Sequence, residues 1–118
     1  MQRLAVIAIL AFAPVAFAVT PSRGITGTYH SNWDDVTLVQ DGDRVHGTYV
    51  CCGGGTIEGR TIEGRTLRYM WRQPSATGMG VWTIRDGRLD GTWGSGQSES
   101  DGGRWDLTIA KPKSQIAN

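Results

Sequence analysis

Phenylalanine is missing from most of this chain: both copies, Phe12 and Phe17, fall within the first eighteen of 118 residues. Beyond that segment there is no long hydrophobic run, and no window sustains apolar residues at i, i+3, i+4 and i+7, which excludes an amphipathic helical bundle. Charge of one sign is not in excess either. Once Arg3 is removed with the leader described below, 11 basic residues face 11 acidic ones over residues 19–118. Such a neutral chain lacks the basic stripe of a polyanion-binding domain, so no nucleic-acid partner is expected. Cysteine is scarce, with only the adjacent Cys51 and Cys52. His30 and His46, even with Asp34 and Asp35, match no metal-ligand spacing, so neither a metal nor a cofactor is expected. No Gly-x-Ser-x-Gly elbow presents Ser31 or Ser95 as a nucleophile. The length suits one domain and leaves no room for a second core.

What is present begins with a leader. Arg3 supplies a positive n-region, Leu4 to Phe12 an apolar stretch, and Ala16-Phe17-Ala18 a small-x-small cleavage site. The run is broken by Pro14 and falls short of the roughly 20 apolar residues a membrane span needs. A signal peptide over residues 1–18 and a single domain over 19–118 are therefore expected. The product would have no membrane anchor after cleavage and would occupy the periplasm or the extracellular space, an oxidising compartment.

Without phenylalanine, tryptophan must do much of the packing. Trp33, Trp71, Trp82, Trp93 and Trp105 are joined by Tyr29, Tyr49 and Tyr69, and each ring buries on the order of 150–250 Å². They sit in short alternating segments separated by Gly, Asp-Gly and Pro, an all-β pattern. Candidate strands are 25–30, 33–40, 44–50, 56–63, 66–73, 80–85, 88–94 and 104–110. Asp41-Gly42-Asp43, Gly64-Arg65 and Asp86-Gly87 are hairpin turns. Because every link is short, an eight-stranded antiparallel up-and-down β-barrel is expected rather than a Greek-key sandwich. Alternation points Val45, Tyr49, Leu67, Tyr69, Trp71, Leu89, Trp93, Trp105, Leu107 and Ile109 inward, with Trp82 and Ile84 joining them. The two histidines face solvent in this scheme, and so does Asp90.

A Gly-Thr-aromatic form recurs at 27–29, 47–49 and 91–93. It is read as a folding motif in which glycine admits a coiled backbone and an overlying ring. Gly24-Ile25-Thr26-Gly27-Thr28-Tyr29 and Gly47-Thr48-Tyr49 resemble the first and third strands of the avidin and streptavidin family. Val81-Trp82-Thr83-Ile84 and Arg104-Trp105-Asp106-Leu107 resemble its tryptophan-bearing sixth and late strands. The resemblance implies a meander barrel. It also implies that Tyr49 occupies the position of a ligand-binding tyrosine, with Trp82 and Trp105 at ligand-stacking positions. Ser31 stands where the family has Asn, Cys51 where it has Ser, and the serine after the first-strand asparagine is replaced near Asp34 or Asp35. The likeness thus implies the barrel more than it implies biotin.

An eight-stranded barrel is just wide enough to be filled by side chains or to hold one small ligand. The functional expectation is a non-catalytic binding module for a small apolar or aromatic ligand. Tyr29, Tyr49, Trp71, Trp82, Trp93 and Trp105 would line its interior, and polar groups such as Ser31 would sit at the mouth. Plain core packing is the competing reading of the same rings. Cys51 and Cys52 can close on each other as a rigid loop corner, since neither has another partner in the chain; a redox switch, a soft-metal site and an intermolecular bridge are the alternative readings. An alternative is a protein-interaction module, such as an inhibitor or adaptor of an envelope hydrolase. It would act through Trp33 and the glycine-rich segments 53–55 and 94–103, the latter expected to be a long mobile connection. Scattered arginines among Asp and Glu read as a mixed solvent face.

Overall fold

The structure, a computed structural model, describes residues 24–110; the leader expected over 1–18 lies outside them. Eight strands follow in chain order: β1 (Gly27–Ser31), β2 (Val36–Asp41), β3 (Arg44–Tyr49), β4 (Gly55–Ile62), β5 (Thr66–Gln73), β6 (Ala76–Arg85), β7 (Arg88–Ser95) and β8 (Gly103–Ile109). A one-turn 3-10 segment at Cys51–Gly53 joins β3 to β4. Every strand pairs antiparallel with its sequence neighbour, and β1 pairs with β8 through Tyr29 and Ile109, closing the barrel. Closure leaves no sheet edge to template association.

Alternation fixes the register. On β5, Leu67, Tyr69 and Trp71 are buried while Arg68, Met70 and Arg72 are exposed. A slip of one residue would turn three charged or flexible side chains into the interior. The same rule buries Val45 and Tyr49 on β3, Leu89 on β7, and Trp105 and Leu107 on β8. It leaves His30 and His46 exposed. Trp93, Ile84 and Ile109 are partly buried against this core.

The two ends of the barrel differ. At one, tight turns join β2 to β3, β4 to β5 and β6 to β7. Gly42, with φ of 65°, sits first in the two residues between Asp41 and Arg44, a conformation that only glycine adopts without strain. The other end carries the longer links, at 32–35, 50–54 and 96–102, together with the two-residue Pro74-Ser75 turn.

Three expectations are corrected. The second strand starts at Val36 rather than Trp33, because the chain turns at 32–35, where Asp34 has φ of 68°. The sixth starts at Ala76 rather than Gly80. Its inward positions there are Gly78 and Gly80, which are buried but have no side chain to reveal an alternating pattern. The 96–102 connection is laced down rather than loose. Gly96 N donates to Thr77 O, Gly102 N to Trp93 O, Thr92 Oγ1 to Glu99 O, and Ser95 N to Asp101 Oδ1.

The recurring Gly-Thr-aromatic glycines also play a different part from the one expected. A Cβ on Gly47 would overlap Thr37 O, and one on Gly91 would overlap Val81 O, so these two admit a neighbouring strand's backbone. The glycines that lie beneath rings are elsewhere: Gly80 under Tyr69, Gly78 under Trp71, Gly55 under Tyr49 and Gly102 under Trp93.

Candidate functional site

Aromatic rings fill one part of the barrel and only line another. In the filled part, Tyr69 stacks on Trp82 at 4.0 Å with 21° between planes. Trp82 is fully buried, and its Nε1 donates to Trp105 O at 2.8 Å. Tyr29 is buried with its hydroxyl donating to Ile25 O at 2.7 Å, and Tyr69 donates to Thr92 O at 3.0 Å. Every ring in this part has its polar atom bound within the protein. Burial raises the pKa of Tyr29 and Tyr49, and raises that of Tyr69 further, with the nearby Tyr49 hydroxyl adding to the effect.

At the end that carries the longer links, a cavity of about 250 Å³ opens among Trp33, Tyr49, Cys51, Cys52, Trp71, Gln73, Ala76, Trp93, Ser95 and Trp105. No charged side chain lines it. Trp71 is fixed by its Nε1 donating to Gly94 O at 3.0 Å. Tyr49 donates to Gln73 Oε1 at 2.6 Å and meets the Trp105 ring edge-on at 5.3 Å. Trp93 meets Trp71 at 5.8 Å and Trp33 at 5.9 Å, both nearly perpendicular. The Trp93 indole N–H is buried and has no hydrogen-bond partner among the described residues, a condition that costs about 1–3 kcal/mol.

Trp33 is held over the cavity by the turn between β1 and β2. Its Nε1 and the Asn32 carboxamide both donate to Arg104 O, and Asp106 N donates back to Asn32 Oδ1. Asn32 thus ties the turn to β8. Ser31 anchors the same turn: its hydroxyl donates to Asp34 O and accepts from Trp33 N at 3.0 Å and Trp105 Nε1 at 3.1 Å. A hydroxyl has one donor and two acceptor sites, and here all are used. Ser31 therefore positions Trp33 and Trp105 rather than offering a free group to the cavity.

Cys51 and Cys52 are joined to each other and form part of the wall, Cys51 half-buried and Cys52 exposed. Cys52 takes φ of 67°, and Gly54 N caps the turn on Cys51 O.

Of the rings expected to line a ligand site, the structure gathers Tyr49, Trp71, Trp93 and Trp105 around the cavity. It places Tyr29 and Trp82 in the filled part. Trp33, Gln73, Ala76 and Ser95 join the lining, although their sequence context did not mark them as ligand-facing. Three of the four carry a weak signal all the same: Trp33 as a ring beside turn-forming Asn32 and Asp34, and Gln73 and Ala76 as residues flanking a Pro-Ser turn. His30 lies on the outer surface, 3.0 Å from Asp35 with both side chains exposed. No cluster of three or more His, Cys, Asp or Glu side chains arranged to hold a metal occurs among the described residues. Asp90 lies on the outside of β7 between Arg85 and Arg88, at 3.2 and 2.9 Å. The Arg88 hydrogen bond, followed by the charges of the surrounding arginines, lowers its pKa. No family model, curated protein or solved structure matches the chain.

Proposed function

We propose that this protein is an exported, non-catalytic binding module that takes one small molecule into the cavity at the mouth of its barrel. The observation that carries this reading is the contrast between the two parts of the interior. Trp82, Tyr69, Tyr29 and the aliphatic residues are shut away from solvent and line no part of the cavity, whereas Tyr49, Trp71 and Trp105, at the edge of the same core, join Trp33 and Trp93 around open volume. A chain whose tryptophans served packing alone would gain by closing that space, since apolar ring surface left facing water forfeits the stabilisation that its burial would bring. The lining has the composition of a ligand site, with large apolar surfaces and a few neutral polar groups. The volume corresponds to about eight waters' share of the liquid, small even for a ligand pocket. A compact molecule or one end of a larger one suits it.

The test is a titration of the chain from Val19 to Asn118 against a small-molecule library that includes biotin, following tryptophan emission and thermal stability together. A ligand in the cavity changes the emission of four lining indoles and raises Tm through mass action. A library that moves neither signal would refute the reading.

A further inference from the structure

We propose that the cavity is an aromatic cage for a quaternary ammonium group, so that the molecule bound carries a compact alkylated cation at one end. The proposal rests on the reading of the cavity as a small-molecule site and adds the chemistry of the ligand. Its first support is shape. Each contacting pair among the lining rings meets close to a right angle: Trp33 and Trp93 at 86°, Trp71 and Trp93 at 77°, Tyr49 and Trp105 at 89°. A wall that turns a corner at each contact surrounds a rounded group. A flat ligand gains most from parallel faces, and the parallel pair here, Tyr69 and Trp82, lies in the filled interior with no space between its rings.

The second support is electrostatic. Ring faces carry negative potential, tryptophan most strongly, and they attract a cation placed against them. Lys, Arg and His are absent from the lining, so no side-chain cation there competes for the faces or repels a positive ligand. Carboxylates are absent as well, which separates one class of cation from another. A primary ammonium brings three N–H donors that need acceptors when water is removed. The lining offers it little beyond Tyr49 Oη, Gln73 Oε1 and Ser95 Oγ, and the first two are already engaged with each other. A quaternary nitrogen has no N–H to satisfy, and its charge is spread over methyl groups that pack against apolar walls. The Cys51–Cys52 disulfide fits the same requirement, as an uncharged, polarisable surface beside the rings.

Choline and its uncharged isostere, in which carbon replaces the quaternary nitrogen, share shape and apolar area and differ in charge. Titrated at constant ionic strength with tryptophan emission as the readout, choline should saturate and bind at least about fivefold more tightly than the isostere, within the range set by cation–π attraction. Trp33→Ala should weaken choline binding by a similar factor. Trp33 is 41% exposed and lies outside the buried core, so the variant keeps the fold, which its Tm verifies. Equal affinity for choline and the isostere would overturn the cage while leaving the cavity reading intact, as would saturation by another library compound with none by choline. An unchanged choline affinity in Trp33→Ala would also overturn it. Silence from every compound would remove the cavity reading and the cage together.

Discussion

Replacing Gly78 with alanine tests how the cavity wall is built. Gly78 faces inward on β6 directly across from Trp71 on β5, and on its other side it is paired with Ser95 on β7. A Cβ at this position would overlap the carbonyl oxygen of Gly94 and stand 2.6 Å from Trp71 Cε2. That carbonyl is also the acceptor for Trp71 Nε1. The added methyl must therefore displace the oxygen, the ring or both, and either movement strains the hydrogen bond that fixes Trp71. Overpacking a tight interior costs about 1–3 kcal/mol, and a buried indole N–H left unpaired costs about as much again. A total of about 3 kcal/mol lowers Tm by roughly 12–24 °C in a domain of this size. Gly64→Ala is the comparison, because Gly64 has φ of 68° and a Cβ added there would meet nothing within 4 Å. Left-handed strain alone costs it about 1–2 kcal/mol. Thermal unfolding followed by far-ultraviolet circular dichroism should place Gly78→Ala well below Gly64→Ala. Equal Tm values, or an inverted order, would refute the packing assigned to Trp71.

Ser31→Ala removes the hydroxyl shared by Trp33 N and Trp105 Nε1; Tm should fall by several degrees, and acrylamide quenching of tryptophan emission should increase as the two rings loosen. Alkaline pH should destabilise the protein by about 1.4 kcal/mol per pH unit for each tyrosine that ionises only when unfolded. All three tyrosines have raised pKa values in the fold. Their contribution is complete below the ordinary value near 10 and is lost as pH rises through the folded values, which urea midpoints measured from pH 9 to 11 would reveal. Reduction of the Cys51–Cys52 bond should move Tm by no more than about 2 °C, because a bridge between adjacent residues closes almost no loop, yet it should alter tryptophan emission through the cavity wall. For Asp90→Asn, a small loss of Tm at neutral pH should begin to shrink near the unfolded carboxyl value of about 4 and vanish only as pH falls through the lower folded value, because the depressed carboxyl pKa stabilises the fold fully above the first and not at all below the second.

The barrel was legible because its inward faces are written in large side chains. Leu67-Arg68-Tyr69-Met70-Trp71 and Trp105-Asp106-Leu107 each declare a strand, its face and its register in a few residues. The beginning of β6 was not legible for the converse reason: its inward residues are glycines, and their purpose becomes visible only when Tyr69 and Trp71 are seen lying over them from the next strand. Sequence also could not divide the rings between core and cavity. Trp82 and Trp105 both alternate inward, but depth along the barrel axis separates them, and depth depends on stagger between strands that no local pattern encodes. Ser31 suggested a ligand contact by its position after the first-strand ring. Its saturated hydrogen bonding comes from Asp34, Trp33 and Trp105, the last of which is brought to it from the far end of the chain by barrel closure.

Five tryptophans give five indole N–H resonances, and the structure divides them sharply. Those of Trp33, Trp71, Trp93 and Trp105 belong to rings around the cavity, whereas Trp82 is sealed in the interior. Proton–nitrogen correlation spectra recorded across a titration with choline, or with any library compound that saturates, therefore test the cavity most directly. The account predicts that the four lining resonances shift together to saturation while the Trp82 resonance stays in place. Saturable shifts confined to the outer strand faces, or spectra unchanged by every compound, would contradict it.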